Sequence, residues 1–222
     1  MIPYRSAVLV LVLLLALPFT SPAALASDRA LINAIIDGQP TRVSILLDQG
    51  VSPEVVSREG EYDGKTALMW AAERGDSRSV DLLLTYGAQP DRTNPKGGTA
   101  LMYAAVEGQD AVIERLVAAG ADPNHTVRHG WSPMMLATVK GHTDTVKLLV
   151  SLGANPDARD VYGWTLLMRA VERGDEPMVQ ALLDVGISPT DEDHSGNNAI
   201  KIAQRTGNTD ILRMLERYER GG

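Results

Sequence analysis

The chain has 222 residues, a net charge of -7 and no cysteine. The missing cysteines exclude thiol catalysis, disulfides and thiolate metal sites. The acidic balance argues against a general polyanion binder, which needs concentrated Lys and Arg, though a local basic patch remains compatible with it.

The N-terminus reads as an export signal. Arg5 is the only charge before Asp28, Ala7 to Leu17 form an apolar run, and Pro18 ends it. Ala24-Leu25-Ala26 follows as a small-x-small cleavage pattern, so the order is positive end, apolar core, cleavage site. The run falls short of the roughly 20 residues that span a bilayer. The expectation is therefore a signal peptide over 1–26, cleavage after Ala26, and a soluble mature chain over 27–222. That places the protein in the periplasm or outside the cell, with no stable membrane insertion after cleavage.

The rest of the chain is periodic. Gly64, Gly97, Gly130, Gly163 and Gly196 are each 33 residues apart, as are Ala71, Ala104, Ala137, Ala170 and Ala203, and Gly75, Gly108, Gly141, Gly174 and Gly207. Leu68, Leu101, Met134, Leu167 and Ile200 keep the same step. Such self-similarity marks a stack of supersecondary units, none of which can bury its apolar face alone. Thr66, Thr99, Ser132, Thr165 and Asn198 stand where each unit's first helix begins, and side-chain oxygens there can accept a free backbone N–H. In the second unit Leu68, Ala71 and Ala72 form one helix face. Gly75 interrupts the helix, Asp76 or Ser77 can cap the next one, and Val80, Leu83 and Leu84 recur at helical spacing. Gly87 ends that second helix.

The first unit lies earlier. Leu31, Ala34, Gly38, Val43, Leu46, Leu47 and Gly50 reproduce the helix pair, 37 rather than 33 residues before their counterparts. Four extra residues therefore sit between Val51 and Asp63, where a loop insertion is cheap. Six helix-pair units are expected, the first with a longer connection. Arg213, Glu216, Arg217, Glu219 and Arg220 fit a solvated closing helix.

Gly64-Lys65-Thr66-Ala67-Leu68-Met69-Trp70-Ala71-Ala72, its later copies, and the unit endings Gly87-Ala88-Gln89-Pro90, Gly120-Ala121-Asp122-Pro123-Asn124 and Gly153-Ala154-Asn155-Pro156-Asp157 resemble the ankyrin repeat family over about residues 28 to 217. The resemblance implies an all-α solenoid whose short turns, or fingers, project from one side. The family's usual His is replaced by Met69, Met102, Met135 and Met168, and by Lys201 in the last unit. Methionine packs well in irregular apolar space, so the fold expectation stands, while the turn hydrogen bonds that His supports are not carried over by the resemblance.

Catalytic readings fail on spacing. Gly64-Lys65-Thr66 lacks the glycine that a phosphate-binding loop needs at the place Glu59 occupies. His125 and His129 fall in a finger with no completing ligand set. Ser132 has a capping place and no triad, and Glu192-Asp193 lies in a turn. Asn124-His125-Thr126 is a formal glycosylation acceptor that the repeat already explains as a turn. No enzyme activity, cofactor or metal is expected.

Ankyrin arrays are implied to bind through their finger tips and the adjoining first-helix face. The matching positions are Tyr62, Lys65, Lys96, Arg128, His129, Trp131, Tyr162, Trp164 and His194. Aromatics and arginine make efficient anchors. Trp131 and Trp164 hold equivalent places in adjacent units and either contact a partner or pack between fingers. Trp70 and Tyr103 read as helical framework. The resulting expectation is an exported, bacterial, non-enzymatic module that positions, stabilises or inhibits an unidentified protein or peptide partner. A self-associating structural protein of the cell envelope is the alternative.

Overall fold

The computed structural model describes residues 22–57 and 64–221. The apolar run from Ala7 to Leu17 and the candidate Tyr62 lie outside them. Twelve α-helices pair into six units among the described residues: α1 (Pro22–Ile36) with α2 (Pro40–Asp48), α3 (Ala67–Glu73) with α4 (Ser77–Thr85), α5 (Ala100–Glu107) with α6 (Asp110–Ala118), α7 (Pro133–Lys140) with α8 (Thr143–Ser151), α9 (Leu166–Arg173) with α10 (Glu176–Asp184), and α11 (Ala199–Thr206) with α12 (Thr209–Glu219). No described helix is long and apolar enough to cross a membrane.

Helices this short are marginal alone, so their ends and faces must be secured locally. The hydroxyls of Thr66, Thr99, Ser132 and Thr165 accept the backbone N–H three residues on, at 3.1, 3.4, 3.2 and 3.2 Å, and the Asn198 amide oxygen does so at 2.9 Å. Asp76, not Ser77, caps α4 by accepting the Ser79 N–H at 3.0 Å. The methionines that stand in the histidine column have a second use. Sδ of Met69 and of Met168 accepts the cap residue's own N–H, at 3.4 and 3.5 Å, so sulfur closes a capping box.

The helices form two layers. α3, α5, α7, α9 and α11 contact one another in succession, and α2, α4, α6, α8, α10 and α12 form the second row. The interior holds Leu68, Ala71, Ala72, Leu101, Ala104, Ala105, Met134 and Ala137 from the first row, and Val80, Leu83, Val112, Ile113, Val146 and Leu149 from the second. Small side chains in the first row let its helices approach closely, and one apolar cluster runs from Leu31 to Leu215. Stacking thus supplies the buried surface that no single pair could.

Between pairs the chain makes four-residue-step turns. Asn94 N–H bonds Gly98 O at 3.0 Å, Val127 N–H bonds Trp131 O at 3.0 Å, Asp160 N–H bonds Trp164 O at 3.1 Å, and Asp193 N–H bonds Asn197 O at 2.7 Å. In the first finger the same bond joins Ser57 N–H to Lys65 O at 2.8 Å, eight residues apart instead of four. The four extra residues are therefore confined between Ser57 and Gly64.

Candidate functional site

The fingers are built from a side-chain turn. Oδ1 of Asn94 accepts the N–H groups of Lys96 and Gly98, both at 2.9 Å. Oδ1 of Asp160 accepts Tyr162 and Trp164, at 2.8 and 3.0 Å, and Oδ1 of Asp193 accepts Ser195 and Asn197, both at 2.8 Å. A short acceptor here mimics a backbone turn. Val127 occupies the same place in the fourth unit and has no acceptor. There the tip tightens into a 3-10 turn over Arg128–Gly130, and His129 takes φ +73°, the only non-glycine with positive φ among the described residues. Adjacent fingers are tied by Val161 N–H to His129 O at 3.0 Å and His194 N–H to Tyr162 O at 3.1 Å. Gly163 sits under this tie with φ +82°; a Cβ on it would lie 2.8 Å from the His194 ring.

Two cation–aromatic clusters line the face between fingers and first-row helices. In the fifth unit the Arg169 guanidinium stands 4.3 Å from the Trp164 ring centroid and 5.8 Å from that of Trp131, spanning two units. Its Nη2 pairs with Asp160, whose carboxylate is fully buried, and its Nη1 reaches Glu172 at 3.5 Å. Its Nε is buried without a hydrogen-bond partner among the described residues. One carboxylate thus closes the finger turn and fixes the guanidinium that supports both rings. In the second unit Lys65 Nζ stands 3.8 Å from the Trp70 centroid and 4.4 Å from that of Tyr103, and pairs with Glu73. Burial pushes the Lys65 ammonium below its ordinary value against the raising effect of Glu73. Burial, then the Glu73 charge, raises the Tyr103 phenol; the hydrogen bond from Asn94 Nδ2, 2.9 Å to the phenol oxygen, opposes them.

The expected binding positions are therefore not equivalent. Lys96, Arg128, His129 and His194 are exposed, and Tyr162 is 60% exposed beside Val161 at 52%. Trp131 and Trp164 are half-buried, each packed on the core with part of its surface open. Lys65, expected on the surface, is 1% exposed, because its stem and ammonium fill the space between two rings and a carboxylate. Sequence reasoning missed Arg169 and Asp160; Trp70 and Tyr103, read as helical framework, do pack on the core from α3 and α5, and they also hold the Lys65 cation. A signal existed: Trp70, Tyr103, Leu136, Arg169 and Ile202 form one column, and a lone charge in an apolar column needs a partner.

Other motifs resolve structurally. Nε2 of His125 and of His142 lies 3.0 Å from Gly97 O and 2.9 Å from Val106 O, each a carbonyl of the preceding unit. The Asn124 side chain accepts Asn155 N–H at 2.7 Å and donates to Gly153 O at 3.0 Å, joining two units. No cluster of three or more candidate ligands for a metal occurs among the described residues.

No curated protein matches the chain. The family model described as ankyrin repeats (3 copies) matches residues 10–94, 31–127, 68–160, 101–193 and 152–220, in overlapping windows. Ankyrin repeats generally mediate protein–protein interaction, and their arrays are typically non-enzymatic. Twelve paired helices, capped first helices and successive fingers agree with that match, and the chain belongs to the ankyrin repeat family.

Proposed function

We propose that the protein is an exported, bacterial, non-enzymatic binding module that seats a partner protein on the finger-lined face of its central units, and so positions, stabilises or inhibits that partner. The observation that carries this reading is the platform of Trp131 and Trp164 around Arg169, beside the exposed tip Val161-Tyr162. Half-buried rings held by a guanidinium are preorganised, so little side-chain entropy is lost when a partner covers them. Export rests on the positive end, apolar run and Ala24-Leu25-Ala26 pattern. α1 crosses the proposed cleavage point, and cutting after Ala26 would keep the core residues Leu31, Ala34 and Ile35 in the first unit.

The test is affinity capture from the native exported fraction, with intact mass read on the same material. We expect a chain beginning at Ser27 and one heterologous protein partner. Trp131→Ala and Trp164→Ala should each weaken that partner's binding by about 2 kcal/mol, with a smaller loss of fold stability. Unchanged affinity in both folded variants sinks the platform; a retained Leu9 to Leu17 segment sinks soluble export; capture of this chain alone favours self-assembly.

A further inference from the structure

The charges on the finger-lined face are distributed unlike those of the whole chain. Arg173 lies one helical turn beyond Arg169 on α9, and Lys140 one turn beyond Leu136 on α7, so both share the face that meets the fingers. Arg128 and Lys96 stand on the opposite margin, at finger tips. All four are exposed, and none has a carboxylate within ion-pairing distance among the described residues. The carboxylates between them are mostly engaged. Asp160 and Glu172 meet Arg169, and on the first-row helices α5, α7 and α9 Glu107 alone has no ion pair among the described residues; Asp91, Asp122 and Asp157, exposed and likewise without ion pairs, lie in the connections that lead to the fingers. The outer helices of the same units show the reverse. Glu114, Asp144 and Glu176 are exposed and unpaired there, against one unpaired cation, Lys147. A chain of net charge -7 therefore turns the C-terminal ends of α7 and α9, with Lys140 and Arg173, toward its fingers as a positive margin.

The face has an apolar floor. Leu136 and Val139 are half-buried yet outside the core cluster, and they lie between Trp131 and the Lys140 margin. We infer that the occupant of this face is an acidic segment of a partner protein that also carries a large apolar side chain. The apolar group covers Leu136 and the Trp131–Trp164 platform, while its carboxylates reach Arg128 on one margin and Lys140 and Arg173 on the other. This rests on the binding role proposed above and assigns its partner chemistry. A nucleic acid fits less well. Its continuous phosphate charge gains from four cations but meets Glu107, Glu172 and the long-range field of an acidic protein, whereas a peptide places few charges and pays for them with contact area.

The probe is a display library of random dodecapeptides panned on the purified full-length protein at low salt. Enriched peptides should be rich in Asp and Glu and carry Trp, Phe or Leu. The affinity of a synthetic copy should drop about fivefold with each of Arg128→Glu, Lys140→Glu and Arg173→Glu, since exposed ion pairs are individually weak. These losses should shrink as salt approaches about 0.5 M, and Lys140→Gln should lose less than Lys140→Glu. Thermal melts of these exposed variants should match the parent. Enrichment of basic or uncharged peptides overturns the inference, as does tighter binding of a single-stranded oligonucleotide than of any peptide. So does acidic binding that the three reversals leave unchanged. If Trp131→Ala and Trp164→Ala abolish binding while the reversals do nothing, the acidic assignment alone fails. If no substitution on this face matters, or no peptide is enriched, the binding face itself fails.

Discussion

The two cation–aromatic clusters use the same two columns of the repeat with their chemistry exchanged. At the second and third units the finger column supplies the cation, Lys65, and the helix column the rings, Trp70 and Tyr103. At the fourth and fifth units the finger column supplies the rings, Trp131 and Trp164, and the helix column the cation, Arg169. The contact is conserved in kind and inverted in position, and exposure follows. Rings rooted on a packed helix roof over a flexible lysine, which ends 1% exposed. Rings rooted on fingers stand beside the groove, and a rigid guanidinium rooted on the helix supports them from below. All four rings are half-buried, so the exchange changes the cation: covered in the first arrangement, and 19% exposed between its rings in the second. The choice of cation fits the duty: Lys is a point charge that a ring pair and one carboxylate can saturate, whereas the planar fork of Arg meets Asp160, Glu172 and two rings together.

The most damaging break in this comparison is Asp160→Ala. Its carboxylate is fully buried, pairs with Arg169, and accepts the N–H groups of Tyr162 and Trp164. Removing it leaves two amides without their acceptor and the guanidinium with only the longer Glu172 contact. We expect a loss of about 3 kcal/mol, read by urea unfolding, with Trp131 and Trp164 fluorescence changing before far-UV signal. A loss under about 1 kcal/mol would mean that Arg169 holds the rings without Asp160.

Lys65→Met tests the other cluster and should cost less, about 1 kcal/mol. Methionine keeps an apolar stem between the rings, and the Glu73 side chain, 31% exposed, can turn to water. The variant also has a pH signature. Burial holds Lys65 below its ordinary value of 10.5, so the folded state releases this proton first. The cost of the buried charge is fully present below the folded-state value and is relieved as pH rises toward 10.5. Wild-type stability should therefore gain on Lys65→Met through the alkaline range. Parallel profiles would place the Lys65 ammonium in a less confining setting.

The fold was legible because a 33-residue register repeats five chemical requirements at once: a cap, an apolar position, small residues for close helices, and two glycine breaks. The clusters were not, for two physical reasons. First, the register says which residues are equivalent but not which columns face each other. Arg169 meets Trp164 five positions back and Trp131 thirty-eight back, a relation set by finger length and helix spacing. Second, charge was read as exposure. That rule serves Lys96 and Arg128 but fails at Lys65, where a carboxylate and two rings replace water. Met69 and Met168 show the same limit: their sulfurs were read as filling, and they also accept hydrogen bonds.

The smallest expected effect comes from the fifth finger, where the turn acid stands without a cluster. Asp193 holds the same place as Asp160, but Ile202 fills the column that carries Arg169. Burial pushes the Asp193 carboxyl up; the backbone and side chain of Asn197 and the Ser195 amide outweigh it and hold the group below its ordinary value of 3.8. Asn fits this place, because Asn94 makes the same turn in the second finger. Asp193→Asn should then change stability by less than about 0.5 kcal/mol at neutral pH. Its effect lies in acid. A depressed carboxyl stabilises the fold above its unfolded value and loses that contribution as pH falls through its folded-state value. Wild type should thus lose stability relative to Asp193→Asn below about pH 3.8, measured by thermal melts from pH 7 to pH 3. If Asp193→Asn proves as damaging as Asp160→Ala at neutral pH, the turn rather than Arg169 carries the importance of the column, and the contrast between a finger with a guanidinium and one without it collapses.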